Sequence, residues 1–75
     1  MSVDIELDTK GLRCPLPLMK ATKAIKEMRQ GQILRVQTTD PGSKRDFESW
    51  VKNGGHTLLE EKDEGGVYTY TIRKG

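Results

Sequence analysis

Val3, Ile5 and Leu7 alternate with Asp4, Glu6 and Asp8 at the start of the chain, the period of two that marks a strand with one buried and one wet face. A first strand over 3–9 is expected. From Pro15 the period changes, and Leu18, Ala21, Ile25 and Met28 recur at i, i+3, i+7 and i+10, one apolar stripe on a helix. Pro15 and Pro17 fit its first turn, where a missing N–H has no partner to lose. Gly31 offers a left-handed cap, so the pattern predicts a helix over about 15–29. The branched run Ile33-Leu34-Arg35-Val36-Gln37-Thr38 predicts a second strand over 33–38. Phe47, Trp50 and Val51 at i, i+3 and i+4 predict a second helix over about 41–53, with Asp40 as N-cap, Pro41 at its first position and Asn53-Gly54-Gly55 as its stop. The segments 57–61 and 67–73 read as strands joined by Lys62-Asp63-Glu64-Gly65-Gly66, a hairpin link of moderate length.

The resulting order is β-α-β-α-β-β. At 75 residues the chain holds one core, so 1–75 is read as a single domain. Tyr68, Tyr70 and Ile72 alternate with Thr69, Thr71 and Arg73, which leaves one sheet face wet. Both helices must then cover the apolar face, giving an α+β two-layer sandwich with right-handed crossovers. The other face is free for partners. Phe47, Trp50, Tyr68 and Tyr70 fall to the core on their spacing, and His56, after two glycines, is read as a turn histidine.

Composition narrows the function classes. Thirteen Lys+Arg against eleven Asp+Glu give a net charge of +2, too near balance to imply nucleic-acid binding. The densest charge is a ribbon of Lys20, Lys23, Lys26 and Arg29 on the exposed side of the first helix. It supports an alternative reading as an RNA- or ribosome-associated module. No apolar run reaches membrane-span length, and the first residues lack the basic and apolar regions of an export signal, so a cytoplasmic protein is expected. One Cys and one His permit neither an intrachain disulfide nor a structural zinc site, and no metal or cofactor is expected. A domain this short encloses little volume, which puts any chemistry at the surface.

That chemistry points to Cys14. A lone cysteine is commonly a small buried hydrophobe, but Cys14 lies outside both the strand and the helix stripe. It stands between Arg13 and the helix start at Pro15. Unpaired N–H groups and the positive end of the helix dipole favour an anion there, and a neighbouring cation adds to this. The reading from residues alone is a reactive thiolate, presented in a fixed direction by Pro15 and Pro17.

Gly11-Leu12-Arg13-Cys14-Pro15-Leu16-Pro17 resembles the motif of the TusA/SirA-like sulfur-carrier family, whose C-P-x-P is matched by Cys14, Pro15, Leu16 and Pro17. The resemblance continues through Leu7-Asp8, Gly31, Asp40-Pro41, Arg45-Asp46, Gly55-His56 and Tyr70-Thr71-Ile72-Arg73-Lys74. It implies a fold similar to the C-terminal domain of translation initiation factor three, with the last strand antiparallel between the second and third. It also implies that Cys14 carries a persulfide received from a cysteine desulfurase or rhodanese-like donor. The sulfur would pass to an acceptor protein, toward tRNA thiolation, molybdenum-cofactor synthesis or sulfur oxidation. With no second cysteine, sulfur can leave only by attack from outside. Arg13, Lys20, Lys23, Asp40, Lys44 and Arg45 are the candidate docking residues around the thiol, and a monomer is favoured.

Overall fold

The structure is a computed structural model and describes residues 2–75. Its elements are β1 (Ile5–Thr9), α1 (Leu16–Lys26), β2 (Ile33–Thr38), α2 (Ser43–Gly54), β3 (Thr57–Glu64) and β4 (Val67–Arg73). They form one mixed sheet in the order β1-β2-β4-β3. β1 runs parallel to β2, and β4 lies antiparallel between β2 and β3, the arrangement that the resemblance implies.

Register puts Ile5 beside Leu34, Leu34 beside Ile72, and Val36 between Leu7 and Tyr70, so the alternate apolar residues of three strands share one face. Against it pack Ala21, Ala24 and Ile25 of α1, Met28 beyond its end, and Phe47 and Val51 of α2. Both helices therefore cover the same face. The Phe47 ring stacks on Tyr70 at 4.7 Å between centroids, and Trp50 meets Phe47 edge-on at 5.8 Å, geometries that suit the aromatic quadrupole. Buried polar atoms at this seam are matched: the hydroxyls of Ser43 and Tyr70 share a hydrogen bond of 2.8 Å. Trp50 Nε1–H donates to Thr22 Oγ1 at 3.1 Å, tying α2 to α1.

Several boundaries differ from the sequence expectation, each for a local reason. β1 starts at Ile5 because the Asp4 carboxylate accepts the Ile33 N–H at 2.8 Å, replacing a backbone acceptor of the ladder. α1 stops at Lys26, where the N–H groups of Glu27 and Met28 turn to the carbonyls three residues back. Met28 keeps its place in the core from this tightened turn. Gly31 is left-handed at φ 90°, but it serves the turn into β2, with its N–H donating to the Lys74 carbonyl at 2.8 Å. Asp40 caps a turn rather than the helix: its carboxylate accepts the Gly42 N–H and its carbonyl the Ser43 N–H, so α2 begins at Ser43 instead of Pro41. The hairpin is tighter than expected, since β3 extends to Glu64 and only Gly65 and Gly66 turn, both at positive φ. Two such residues match the twist of the flanking strands. A bulge at Leu59 shifts the β3 register between Leu58↔Ile72 and Glu60↔Thr71.

The face away from the helices is polar. A row crosses it from Glu6 through Arg35 and Thr71 to Glu60, with Arg35 Nη1 donating to Glu6 at 3.2 Å. Its centre is not wet, however: Thr71 is fully buried, and its hydroxyl has no partner among the described residues.

Candidate functional site

The loop that carries Cys14 is pinned at its start. Thr9 Oγ1 donates to the Gln37 carbonyl at 2.6 Å, the Gly11 N–H donates to Thr39 Oγ1 at 2.9 Å, and the Leu12 N–H returns to the Thr9 carbonyl at 3.1 Å. These bonds fix the turn on the C-terminal ends of β1 and β2. Gly11 takes φ 84° there, a conformation that a side chain would oppose. The chain then reaches Cys14, a cis peptide to Pro15, and α1.

Cys14 is exposed, and its Sγ–H donates to Asp46 Oδ2 at 3.4 Å. Asp46 lies in the first turn of α2, 32 residues away in sequence. Asp40, in the turn before α2, completes a group in which Sγ and the carboxylate oxygens of Asp40 and Asp46 all fall within 4.8 Å of one another. A thiol whose S–H points at one of these carboxylates is a hydrogen-bond donor, and the trio is read as a thiol–carboxylate contact.

This geometry corrects the expectation of a favoured thiolate. The hydrogen bond to Asp46 holds the Cys14 thiol above its ordinary pKa, and local burial and the charges of Asp46 and Asp40 push the same way. The helix start has little to set against them. Leu16 spends its N–H on the Arg13 carbonyl at 2.9 Å, and Pro17, buried at the second helical position, has none. Arg13 forms no ion pair among the described residues and lines a hollow that shares Cys14, Asp40 and Pro41 with the groove beside α2. Anions brought by another element outweigh the local influences that favour an anion.

Three of the candidate docking residues come together with the thiol. Asp40, Lys44 and Arg45 join Cys14, Asp46 and Glu48 around an open groove of about 640 Å³. Lys44 is partly engaged, since its Nζ lies 3.6 Å from Glu61 of β3. Lys20 and Lys23 are exposed on α1 and do not line this groove. Lys23 instead borders a second hollow with Leu18, Met19, Thr22 and Lys26. Beside it stand two exposed apolar side chains that the sequence reading missed, Leu16 at 44% and Met19 at 59% exposure. Their spacing of three, off the buried stripe, was the available signal. His56 lines none of the hollows around Cys14: its Nδ1 accepts the Gly75 N–H at 3.0 Å, and its ring tilts against Trp50.

The fold and the exposed thiol on the C-P-x-P turn, where β1 leads into α1, define a small two-layer α+β domain that presents a single cysteine. Comparison with known proteins identifies the class. The pattern of the family described as sulfurtransferase TusA matches residues 5–74. The sulfur carrier protein TusA of Allochromatium vinosum is 48% identical over 71 residues, covering 95% of this chain and 93% of that protein. TusA of Pseudomonas aeruginosa is 41% identical over 73 residues, covering 97% and 92%. Among solved structures, the SirA-like protein of Desulfitobacterium hafniense superposes with a TM-score of 0.84 at 27% identity, over 95% of this chain and 97% of that one. The chain belongs to the TusA family. No helix among the described residues is long and apolar enough to cross a membrane.

Proposed function

We propose that the chain is a sulfur carrier that takes sulfane sulfur on Cys14 as a persulfide, from a cysteine desulfurase or rhodanese-type protein, and yields it to an acceptor protein. The observation that carries this reading is the exposed lone thiol on the C-P-x-P turn, which lines two open hollows. A protein-borne persulfide needs such access, because a sulfur held inside a cavity could not meet a second protein. Transfer is intermolecular, since the only cysteine is the one that is loaded. Arg13, Asp40, Lys44 and Arg45 around the thiol, and Lys20 and Lys23 along α1, supply charge to orient the two partners. Leu16 and Met19 supply apolar area between them.

Incubation with a desulfurase and cysteine, or with a rhodanese and thiosulfate, is expected to add the mass of one sulfur atom to the intact protein. Reduction should remove it. Cys14→Ser is expected to abolish the gain. A wild-type protein that gains nothing from either donor refutes the reading, and a gain retained in Cys14→Ser refutes the site.

A further inference from the structure

The carboxylates beside Cys14 are poorly suited to a thiol that is meant to react unaided. Every charged group facing it can be named. Asp40 comes from the turn before α2, Asp46 and Glu48 from α2 with Lys44 and Arg45, and Arg13 from its own loop. The α1 side contributes only Pro15, Pro17 and Leu18. Lys44 is turned to Glu61, and neither Asp40 nor Asp46 has an ion-pair partner among the described residues. Two half-buried carboxylates without a cation thus stand at the one reactive sulfur. Asp46 is left with the Cys14 S–H and Asp40 with the Gly42 N–H as partners, and Arg45 of the same groove pairs with neither among the described residues.

We propose that Asp46 is a specificity-determining residue of the carrier: its carboxylate keeps Cys14 as a protonated thiol while the carrier is free. A sulfur-donating protein then releases that thiol by bringing a cationic side chain to Asp46 and Asp40. The inference rests on the sulfur-carrier reading above. In the docked pair, the incoming Lys or Arg takes over the carboxylates, and the S–H hydrogen bond is given up. The Cys14 sulfur then attacks the terminal sulfur of the donor's persulfide. The donor's S–S bond breaks, its electron pair stays on the donor cysteine, and the proton lost by Cys14 ends on that leaving thiolate. Cys14–SH and donor–S–SH become Cys14–S–SH and donor–SH, with no oxidant or reductant consumed. Small anionic sulfur compounds meet the same carboxylates without a cation to offset them, so they are disfavoured as donors.

Two readouts separate this role from simple packing. Alkylation of Cys14 by iodoacetamide, a small neutral reagent, follows the thiolate fraction. Asp46→Asn is expected to alkylate at least about threefold faster than wild type at neutral pH, with its pH profile moved to lower pH. Asp46→Glu should stay within about twofold of wild type, and so should Asp63→Asn, an exposed carboxylate of β3 outside the hollows around Cys14. In the second readout, loading by a desulfurase is compared with loading by glutathione persulfide. Asp46→Asn should lower the ratio of the first rate to the second by about fivefold or more.

Because Asp46 also stabilises the first turn of α2, Asp40→Asn, outside the helix, is the second variant. It is expected to shift both readouts in the same direction by less, and it decides the matter if Asp46→Asn fails to fold. An unchanged alkylation profile, or an unchanged loading ratio, overturns the proposal. A wild-type protein that accepts sulfur from no donor overturns the carrier reading as well, an outcome that the alkylation profile does not mimic.

Discussion

The two helices begin in opposite ways. Neither has a side-chain cap, but α1 opens on Pro15, Leu16 and Pro17 with no acid in its first turn. α2 opens behind the Asp40 turn, with Asp46 in its first turn and Ser43 bonded into the core. The first start displays a sulfur and offers it few N–H groups, whereas the second supplies anions. They meet at Cys14, whose S–H donates to a carboxylate of the helix to which it does not belong. A motif read along the chain reports only the first of these influences.

The comparison is broken most severely by removing what seats α2. Phe47 is fully buried between Trp50 and Tyr70, and Phe47→Ala is expected to cost about 3–5 kcal/mol, read as a lower denaturant midpoint. If the variant still folds, the loosened first turn of α2 should let Cys14 alkylate faster at neutral pH. Ser43→Ala strikes the same start more gently. It leaves the buried Tyr70 hydroxyl unpaired, at a cost of about 1–3 kcal/mol. Adding Tyr70→Phe should recover most of that loss in thermal melts, because both polar partners are then gone. An additive double mutant would count against the hydroxyl pair. The smallest effect is expected at α1. Pro17→Ala restores a first-turn N–H and raises Cys14 alkylation by no more than about twofold. A larger rise would mean that the α1 start, and not the α2 carboxylates, governs the thiol.

β2 and β4 were legible to the residue, because their branched and aromatic alternation has no competing period. The length of α1 was not. Met28 continues the apolar stripe and is buried, yet the backbone has already left the helix at Lys26, and burial periodicity does not distinguish a helix from the tight turn that follows it. Asp40 illustrates a related ambiguity. The same carboxylate chemistry that caps helices also closes Asx turns, and here the Asp40 carboxylate accepts the Gly42 N–H. At the site, Cys14 and its motif were visible in the sequence, and the docking candidates Asp40, Lys44 and Arg45 are adjacent to it in space. Asp46 was visible only as part of a resemblance. Its effect on Cys14 arises from tertiary packing across 32 positions of sequence, and no local pattern encodes it. The open sheet face was read as wet, but Arg35 and Glu60 flank Thr71 closely enough to bury it, which side-chain length rather than polarity decides.

The edge formed by β3 has a bearing on crowding. Residues 61–64 of that strand are all exposed and charged, and the bulge at Leu59 interrupts its ladder before them. Exposed charged side chains and a broken register make a poor template for another strand. At this edge the sheet offers a second copy little to pair with, and the apolar side chains left exposed, Leu16 and Met19, lie on α1 instead.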